Sequence, residues 1–130
     1  MEKTILGDNL EICRILNGMW QVAGGHGQID SELAIQDMEK YQELGFTTWD
    51  LADIYGPAES LIGKFSKKTK QNFQAFTKFV PNPGPMSSSI VTHYIDESLK
   101  KMNADCIDLL QFHWWDYQDS SYLDALQHLS

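Results

Sequence analysis

Apolar and polar residues alternate along the chain with two different periods, one typical of strands and one typical of helices. Alternation around Gly7, Asp8 and Asn9 predicts a hairpin over residues 4–15. Short apolar runs predict four further strands. The first ends near residues 18–20, and the other three cover residues 45–50, 73–79 and 106–115. Apolar residues at spacings of three and four predict helices over residues 31–44, 57–65 and 87–99 and one that begins near residue 120.

Strands and helices follow one another in regular alternation after the hairpin. Strands joined in this order through helices run parallel, with right-handed crossovers, so the sequence predicts an α/β fold. The loop QVAGGHGQ, residues 21–28, is rich in glycine but lacks the spacing of a dinucleotide-binding or phosphate-binding loop, and it is interpreted as a flexible connection. No linker divides the chain, so we expect one domain over residues 1–130.

Charge and composition argue against several classes of function. The chain has 130 residues, with 10 Lys and Arg against 18 Asp and Glu, and its net charge of −8 disfavours a nucleic-acid partner. No stretch approaches the roughly 18 apolar residues of a membrane span. The N-terminus lacks a secretory or transit pattern, so a cytoplasmic location is expected. Cys13 and Cys106 show no metal-ligand or redox spacing, and we expect two reduced, mostly buried thiols.

Three ionisable residues occupy equivalent places, where a predicted strand gives way to a loop. Asp50 and Lys78 are 28 residues apart and Lys78 and His113 are 35 apart, so each interval is about one βα unit. The carboxyl ends of parallel strands in a (β/α) barrel meet at one rim, so these residues should converge, with Tyr55 reaching over from the loop. Singly, each has an ordinary interpretation, as a capping aspartate, a surface lysine, a core histidine or a loop aromatic. Their matched placement favours a functional site.

The four side chains suit proton transfer to a carbonyl oxygen. An unassisted phenol holds its proton too tightly to act as an acid near neutral pH. A lysine cation beside Tyr55 stabilises the phenolate and makes the phenol a better general acid, and the Asp50 carboxylate keeps Lys78 charged in a partly buried site. His113 can donate a hydrogen bond that orients the carbonyl. No nucleophilic serine or cysteine is evident to attack the carbonyl carbon, and a hydride from a reduced nicotinamide is one species that would serve.

The motifs around these residues resemble those of the aldo-keto reductases. The segment WDLADIYGPAESLIG, residues 49–63, resembles the signature D-x-A-D-x-Y-G-x-A-E of that family. TKF, residues 77–79, resembles the strand end with the catalytic lysine, and IDLLQFHWWD, residues 107–116, resembles the D-L-x-x-x-H strand. The hairpin and the LNGMW strand fit the family's barrel plug and first strand, so the resemblance covers nearly the whole chain. Leu51 is a departure, since the family usually has Thr or Ser there, and it puts the packing behind the site in question.

The resemblance implies a parallel (β/α) barrel of TIM type that reduces aldehydes or ketones with NADPH. By this resemblance Tyr55 is the general acid, and Lys78 and Asp50 are the pair that tunes it. His113 is the residue that orients the carbonyl group of the substrate. These implied roles agree with the chemistry expected from the side chains themselves.

The resemblance also implies binding residues at the same rim. Asp50 would reach the nicotinamide ribose, and the backbone of Gly18 and Met19 would lie along the cofactor. Trp20 and Trp114 would line the pocket for a small-molecule carbonyl substrate, with core packing as the alternative for both. The family's loops that grip the pyrophosphate and the 2′-phosphate come from the second half of the barrel. The choice of NADP over NAD therefore rests on the resemblance alone.

The length of the chain bears on all of these expectations. A full barrel needs roughly 250 residues, so residues 1–130 correspond to about the first four of eight βα units, a truncated N-terminal part of the domain. The open strand edges of such a half-barrel favour weak folding or self-association. The main alternative to an enzyme is therefore a non-catalytic fragment that acts by association. A metal hydrolase that uses Asp50 and His113 is weaker, because His26, His93 and His128 have no ligand spacing.

Overall fold

The computed structural model describes residues 1–25 and 27–130, which form an N-terminal hairpin, a parallel sheet and the helices that cover it. The hairpin strands are β1 (Lys3–Leu6) and β2 (Leu10–Cys13), and the sheet strands are β3 (Asn17–Gly18), β4 (Thr48–Asp50), β5 (Gln74–Phe79) and β6 (Leu109–Phe112). The helices are α1 (Ser31–Glu43), α2 (Ala58–Lys68), α3 (Ser88–Met102) and α4 (Tyr122–Leu129), with a 3₁₀ turn at Trp20–Ala23.

The sheet has the order β3-β4-β5-β6, and each neighbouring pair runs parallel. α1, α2 and α3 each connect one strand to the next, because a parallel neighbour is reached through a crossover. The predicted α/β fold with alternating strands and helices is therefore confirmed. Within the described residues β3 pairs only with β4 and β6 only with β5, so the outer edge of each carries unpaired backbone groups.

The predicted N-terminal hairpin is present and is fastened to the end of the sheet where the strands begin. Its two strands are antiparallel, and Gly7 at the turn has a φ of 62°, which glycine adopts freely. The backbone N–H of Cys13 donates to Thr48 Oγ1 at 2.9 Å, and that hydroxyl donates to Gln74 Oε1 at 3.2 Å. The hairpin therefore covers the end of the sheet opposite to the carboxyl ends of the strands.

Local capping residues set the bounds of the helices. Asp30 caps α1 by accepting from two backbone N–H groups of the first turn, at 2.8 and 3.1 Å, and Gly45 follows the helix with a φ of 86°. The helix predicted over residues 57–65 extends to Lys68, so its last turn contains lysines that suit the negative end of the helix dipole. No helix in the described part of the chain has the length and apolar character needed to cross a membrane.

The strands are shorter than the apolar runs that predicted them. Of residues 106–115 only four form β6, and in the segment before it the Asp108 carboxylate accepts from the Ala75 N–H at 2.8 Å. Cys106 lies in this segment and is exposed, so the expectation of a buried thiol is wrong for Cys106 and correct for Cys13. Hydrophobicity alone does not locate the start of the strand, because pairing with β5 begins partway along the run.

Two apolar clusters cover the face of the sheet against which the helices pack. The first lies mainly between α1, α2 and the strands β4 and β5, and the second lies between α3, α4 and the strands β5 and β6. The first includes Met19, Ile35, Met38, Trp49, Leu51, Leu61, Ile62 and Phe65. The second includes Phe79, Met86, Val91, Trp114 and Ala125. Burial of such side chains, at roughly 25 cal/mol per Å² of apolar surface, is the main contribution that favours the fold.

Helices α2 and α3 approach each other closely at Gly63. A Cβ atom at Gly63 would overlap the carbonyl oxygen of Lys101, and it would lie 3.1 Å from the carbonyl carbon of Met102. Glycine therefore permits the separation at which the two helices pack. The contact matters for the rim of the sheet, because α2 follows the loop that contains Tyr55 and α3 follows the strand that contains Lys78.

We predict that Gly63→Ala lowers the free energy of unfolding by about 1–3 kcal/mol, because the added methyl group forces α2 away from α3. Gly25→Ala is the matched control, since a Cβ atom at Gly25 meets no atom within 4 Å. Urea denaturation of both variants, followed by circular dichroism, measures the difference. Equal stabilities would show that the contact between the helices relaxes without cost.

Candidate active site

Asp50, Lys78 and His113 stand at the end of the sheet where the parallel strands finish. Asp50 is the last residue of β4, Lys78 is the next to last of β5, and His113 follows directly after β6. The register sets Lys78 opposite Gln111, which is two residues before His113 on the same face of the sheet. The His113 N–H donates to the Phe79 carbonyl at 2.9 Å, so β6 continues to follow β5 past its last residue. The three strand ends therefore share one rim.

Two oxygen atoms hold the Lys78 ammonium at this rim. Its Nζ atom lies 2.7 Å from Asp50 Oδ1 and 2.7 Å from the carbonyl oxygen of Leu51. The side chains of Lys78 and Asp50 are 15% and 31% exposed, so both charges are partly withdrawn from water. Because a partly buried charge needs a partner, each of the two side chains depends on the other.

The ring of Tyr55 lies beside the same ammonium. Lys78 Nζ is 5.2 Å from the centroid of the Tyr55 ring, over its face, which is within the range of a cation–π contact. Trp20 packs edge-on against Tyr55 with the ring centroids 5.1 Å apart, and 54% of Trp20 is exposed. Trp20, Asp50, Tyr55 and Lys78 thus form one contiguous cluster, called here the rim group. Its exposed side is formed in part by Trp20.

Hydrogen bonds to β5 set the path of the loop between β4 and α2. The N–H of Asp53 donates to the carbonyl of Lys78 at 3.1 Å, and the carboxylate of Asp53 accepts from the N–H of Val80 at 3.0 Å. Within the loop, the Tyr55 N–H donates to the Ala52 carbonyl at 3.0 Å, which closes a turn. The backbone of Tyr55 is therefore tied to the strand that carries Lys78.

Two constraints favour glycine directly after Tyr55. Gly56 has a φ of 51°, a left-handed value that other residues seldom adopt. A Cβ atom at Gly56 would also lie 3.1 Å from the carbonyl oxygen of Ala23. The loop therefore passes close to the 3₁₀ turn Trp20–Ala23, and this approach brings Trp20 against Tyr55.

Leu51 departs from the family pattern without disturbing the rim group. Its side chain is fully buried in the first apolar cluster, whereas its carbonyl oxygen accepts the hydrogen bond from Lys78. Because the hydrogen bond from Lys78 goes to the backbone of Leu51 and the Leu51 side chain is buried in the core, a large side chain is compatible with this position. The space behind the site is a filled apolar core.

The structure separates the two tryptophans that were expected to line a pocket. Trp20 lies in the rim group, but Trp114 is 5% exposed and packs into the second apolar cluster, where its indole N–H donates to two carbonyl oxygens of the following loop. This burial favours core packing, the alternative considered for Trp114. The exposed Trp115 instead stacks on His113 at a centroid distance of 4.5 Å. Residues two apart in an extended segment point the same way, so Trp115 shares the side of His113.

The end of β3 leaves room for a flat ligand beside Asp50. Gly18 is exposed, pairs in register with Asp50 and leaves open space where a Cβ atom would stand, so a flat ring can approach its backbone. Met19 is buried, and its N–H donates to the Asp50 carbonyl at 2.9 Å, so this N–H is not available to a ligand. Gly18 and the Asp50 carboxylate are therefore the groups here that could hold a nicotinamide riboside, whereas the N–H of Met19 could donate no hydrogen bond to it.

The chain matches a known protein family over most of its length. A model of the aldo/keto reductase family matches residues 14–130. The chain belongs to the aldo/keto reductase family. Among its relatives, the 6-dehydroglucose reductase of Agrobacterium fabrum is 34% identical over an alignment of 131 positions, which covers 87% of this chain and 43% of the relative. An aldo-keto reductase of Schizosaccharomyces pombe with NADP(+) in its name is 37% identical over 83 residues, which cover 55% of this chain and 24% of the relative.

A solved aldo-keto reductase structure has the same architecture. The Bombyx mori aldo-keto reductase in complex with NADP matches 98% of this chain and 45% of that protein, with a TM-score of 0.74 and 22% identity. The predicted fold is therefore confirmed, since this aldo-keto reductase chain has part of a (β/α) barrel of TIM type. The chain spans less than half the length of these relatives.

Asp53 and Glu59 are acids of the aldo-keto reductase signature for which the sequence predicted no role. Glu59 is 2% exposed, accepts from Thr77 Oγ1 at 2.7 Å, and has Oε2 3.8 Å from Lys101 Nζ. Asp53 holds the loop before Tyr55, as described above. The signal that marks both residues is an acid within an otherwise apolar segment, where a buried carboxylate must find partners.

Burial raises the pKa of the Asp53 carboxyl above its ordinary value of 3.8, and the nearby Glu59 carboxylate adds to the rise. The N–H groups of Val80 and Ile54 and the ammonium of Lys101 lower the pKa in part. Asp53 Oδ1 is buried without a hydrogen-bond partner among the described residues, which accounts for the cost of charging it. The folded chain therefore holds the Asp53 proton more tightly than an exposed aspartate would.

A metal hydrolase would require several metal-ligating side chains close together. Within residues 1–25 and 27–130, no three His, Cys, Asp or Glu side chains lie close enough together to hold a metal ion. His93 and His128 are on α3 and α4, and His26 lies outside the described residues. Asp50 would be a ligand in the metal-hydrolase alternative, but in the structure its carboxylate is paired with Lys78.

We predict that the stabilising effect of Asp53, measured relative to Asp53→Asn, declines as the pH rises. A pKa that is higher in the folded than in the unfolded chain means that the folded protein binds the proton more tightly. The contribution is therefore fully present below about pH 4 and is lost as the pH rises through the folded-state pKa. Asparagine retains an acceptor for the Val80 N–H and does not titrate. Urea unfolding of both proteins across this pH range measures the effect, and a difference that grows with pH would contradict the raised pKa.

Proposed function

We propose that this chain supplies the catalytic residues of an NADPH-dependent reductase that converts an aldehyde or a ketone to an alcohol. Membership of the aldo/keto reductase family supports an oxidoreductase that acts on carbonyl compounds. NADP appears in the name of one relative and in the solved structure of another, which supports the choice of cofactor. The chain spans less than half the length of these relatives, so the activity of a complete reductase is proposed here for this chain by its similarity to them. The cytoplasmic location stays a prediction.

The observation that carries this proposal is the placement of the Lys78 ammonium between Asp50 and the Tyr55 ring. The ammonium lies 2.7 Å from the carboxylate and 5.2 Å from the ring centroid. A cation this close to the ring can stabilise the negative charge that develops on Tyr55 as it gives up its proton. Tyr55 is therefore suited to act as a general acid at a rim that a carbonyl oxygen can approach.

The proton and the hydride reach the carbonyl group from different sources. NADPH, when bound, supplies the hydride that forms the new C–H bond at the carbonyl carbon. Tyr55 gives its hydroxyl proton to the carbonyl oxygen, which completes the alcohol and leaves a phenolate beside Lys78. The Lys78 ammonium stabilises this negative charge, and Asp50 keeps the ammonium in place. The phenolate then regains a proton from solvent.

Binding roles fall to other groups on the rim. The Asp50 carboxylate, which Lys78 holds through Oδ1, would accept a hydrogen bond from a ribose hydroxyl of the cofactor. His113 donates to the carbonyl oxygen of the substrate and so orients it. Exposed Trp20 forms one wall of the substrate pocket, and Trp115, which stacks on His113, takes the place on that wall first expected for Trp114.

Tyr55→Phe tests the proposed general acid directly. The variant keeps the ring that contacts Lys78 and Trp20 but has no proton to give, so we expect kcat for a simple aldehyde to fall about 10²–10⁴-fold. The dissociation constant for NADPH, followed by tryptophan and nucleotide fluorescence, should stay unchanged. Tyr41→Phe, at an exposed tyrosine of α1, is the matched control and should retain the activity.

Two outcomes of this experiment would contradict the proposal. Normal turnover by Tyr55→Phe would remove the residue assigned as the general acid. Absence of saturable binding by the 130-residue chain at nucleotide concentrations up to about 1 mM, the upper end of ordinary KM values, would also count against it. The chain would then carry catalytic residues without the means to use them, which is the non-catalytic alternative.

The unpaired edges of β3 and β6 favour a second candidate function, in which the chain acts by association with a second copy. Each edge presents free N–H and C=O groups to which another parallel strand can be added. A two-fold axis would place β6 of each copy beside β3 of the other copy. The two four-stranded sheets would then close into an eight-stranded parallel barrel. Exposed apolar side chains accompany this arrangement: Ile15 and Leu16 precede β3, and Leu123 and Leu126 lie on α4.

We predict that the 130-residue chain self-associates through these edges. Sedimentation equilibrium should give a mass that rises with concentration toward twice that of the monomer, and the melting temperature should rise as well. Ile15→Glu should shift the equilibrium toward the monomer, whereas Leu33→Glu on α1 should not, although both side chains are 59% exposed. A sharp, concentration-independent melting transition of a monomer would exclude this mode of association.

A further inference from the structure

Asp53 attaches the loop that carries Tyr55 to the end of the strand that carries Lys78. Its backbone N–H donates to the Lys78 carbonyl at 3.1 Å, and its Oδ2 atom accepts from the Val80 N–H at 3.0 Å. These two bonds lie on either side of Phe79, where β4 has already ended and no longer pairs with β5. One residue of the loop thus supplies both the donor and the acceptor that the end of β5 requires.

The Tyr55 ring and the Lys78 ammonium lie in contact but belong to different elements. Lys78 reaches the rim group from β5, whereas Tyr55 reaches it from the loop. The turn bonds from Tyr55 to Ala52 and from Ala58 to Tyr55, both 3.0 Å, shape the loop but do not connect it to β5. Leu51 is bonded to β5 as well, but it lies four residues before Tyr55, and Asp53 lies two residues before it. Asp53 is therefore the attachment nearer to the ring.

Charged groups from two helices face the Asp53 carboxylate. Glu59 of α2 and Lys101 of α3 both act on its charge, with opposite signs. A cavity of about 430 Å³ lies beside it, and His93 and Glu97 of α3 line this cavity together with Lys101. Oδ1 is buried without a hydrogen-bond partner among the described residues, so the bond from Oδ2 to the backbone orients the carboxylate.

We propose that Asp53 is a positioning residue whose carboxylate fastens the Tyr55 loop to the end of β5 and so sets the contact between the Tyr55 ring and the Lys78 ammonium. The effect on catalysis rests on the function proposed above, whereas the contact itself is a property of the fold. Asp53 acts through Tyr55 and does not contact the reacting atoms. A displacement of about 1 Å at a reacting group can lower turnover on the order of 100-fold, so the anchoring of this loop matters for the reaction.

Three substitutions separate the hydrogen bond from the charge and from general stability. Asp53→Ala removes the acceptor for the Val80 N–H. Asp53→Asn keeps an acceptor oxygen in nearly the same place and removes the charge. Asp108→Ala is the matched control, because the Asp108 carboxylate accepts from the Ala75 N–H at 2.8 Å and so makes the same kind of bond at the opposite end of β5.

Nuclear magnetic resonance of the 130-residue chain measures the contact without requiring activity. We expect nuclear Overhauser cross-peaks between the Tyr55 ring protons and the Lys78 ε-protons in the unmodified chain, in Asp108→Ala and in Asp53→Asn. Asp53→Ala should lose these cross-peaks and show faster amide exchange at Val80. Asp53→Leu, similar in shape to aspartate and without an acceptor, gives the same measurement if Asp53→Ala does not fold. Cross-peaks that persist without the acceptor, or that vanish equally in Asp108→Ala, would overturn the proposal.

Kinetics distinguish the failure of this proposal from the failure of the proposed function. With an aldehyde as substrate, Asp53→Ala should lower kcat about 10–100-fold and leave the NADPH dissociation constant unchanged, and Asp53→Asn should restore most of the activity. An unchanged kcat in Asp53→Ala would overturn the positioning role. If the unmodified chain reduces no aldehyde, the proposed function fails, and the cross-peaks still decide whether Asp53 positions Tyr55.

Discussion

A half-buried ammonium group needs oxygen atoms around it, and this need of Lys78 organises the rim of the sheet. Withdrawing such a charge from water costs several kcal/mol unless a partner is in place. Lys78 lies two residues beyond Phe76, the register partner of Asp50, so its side chain can reach back to the end of β4. There it meets the Asp50 carboxylate and the Leu51 carbonyl, both at 2.7 Å. The loop that continues from Leu51 brings its tyrosine to the same cation.

The parallel arrangement of the strands explains both the rim and the open edges. Crossover helices return the chain to the same end of the sheet each time, so the loops that follow β4, β5 and β6 collect at one side. The same arrangement leaves β3 and β6 with an unpaired edge in the described part of the chain. In relatives more than twice as long, additional chain is present beyond the region that matches. The convergence of the loops and the exposure of the strand edges thus belong to the same four-stranded sheet.

The sequence predicted those parts of the candidate site that depend on the order of the strands. It did not predict the parts that depend on the direction in which a side chain points. Alternating strands and helices place Asp50 and Lys78 at neighbouring strand ends, and the two side chains are in contact. Trp114 and Trp115 are adjacent in sequence, yet the first is buried in the core and the second stacks on His113. The point at which a strand ends decides which of two neighbours faces the rim, and hydrophobicity does not mark that point.

The sequence by itself determined the order of the elements, the family and the choice of candidate side chains, because periodicity, motif residues and strand ends are local properties of the chain. It also determined caps such as Asp30, which acts within one turn of its own helix. Only the tertiary structure decided that Trp114 is buried, and that Asp53 holds the loop of the rim group. The hydrogen bond from Val80 to Asp53 joins residues 27 positions apart. Such a contact follows from the register of β4 and β5, which is set by the packing of the whole sheet and by no local pattern.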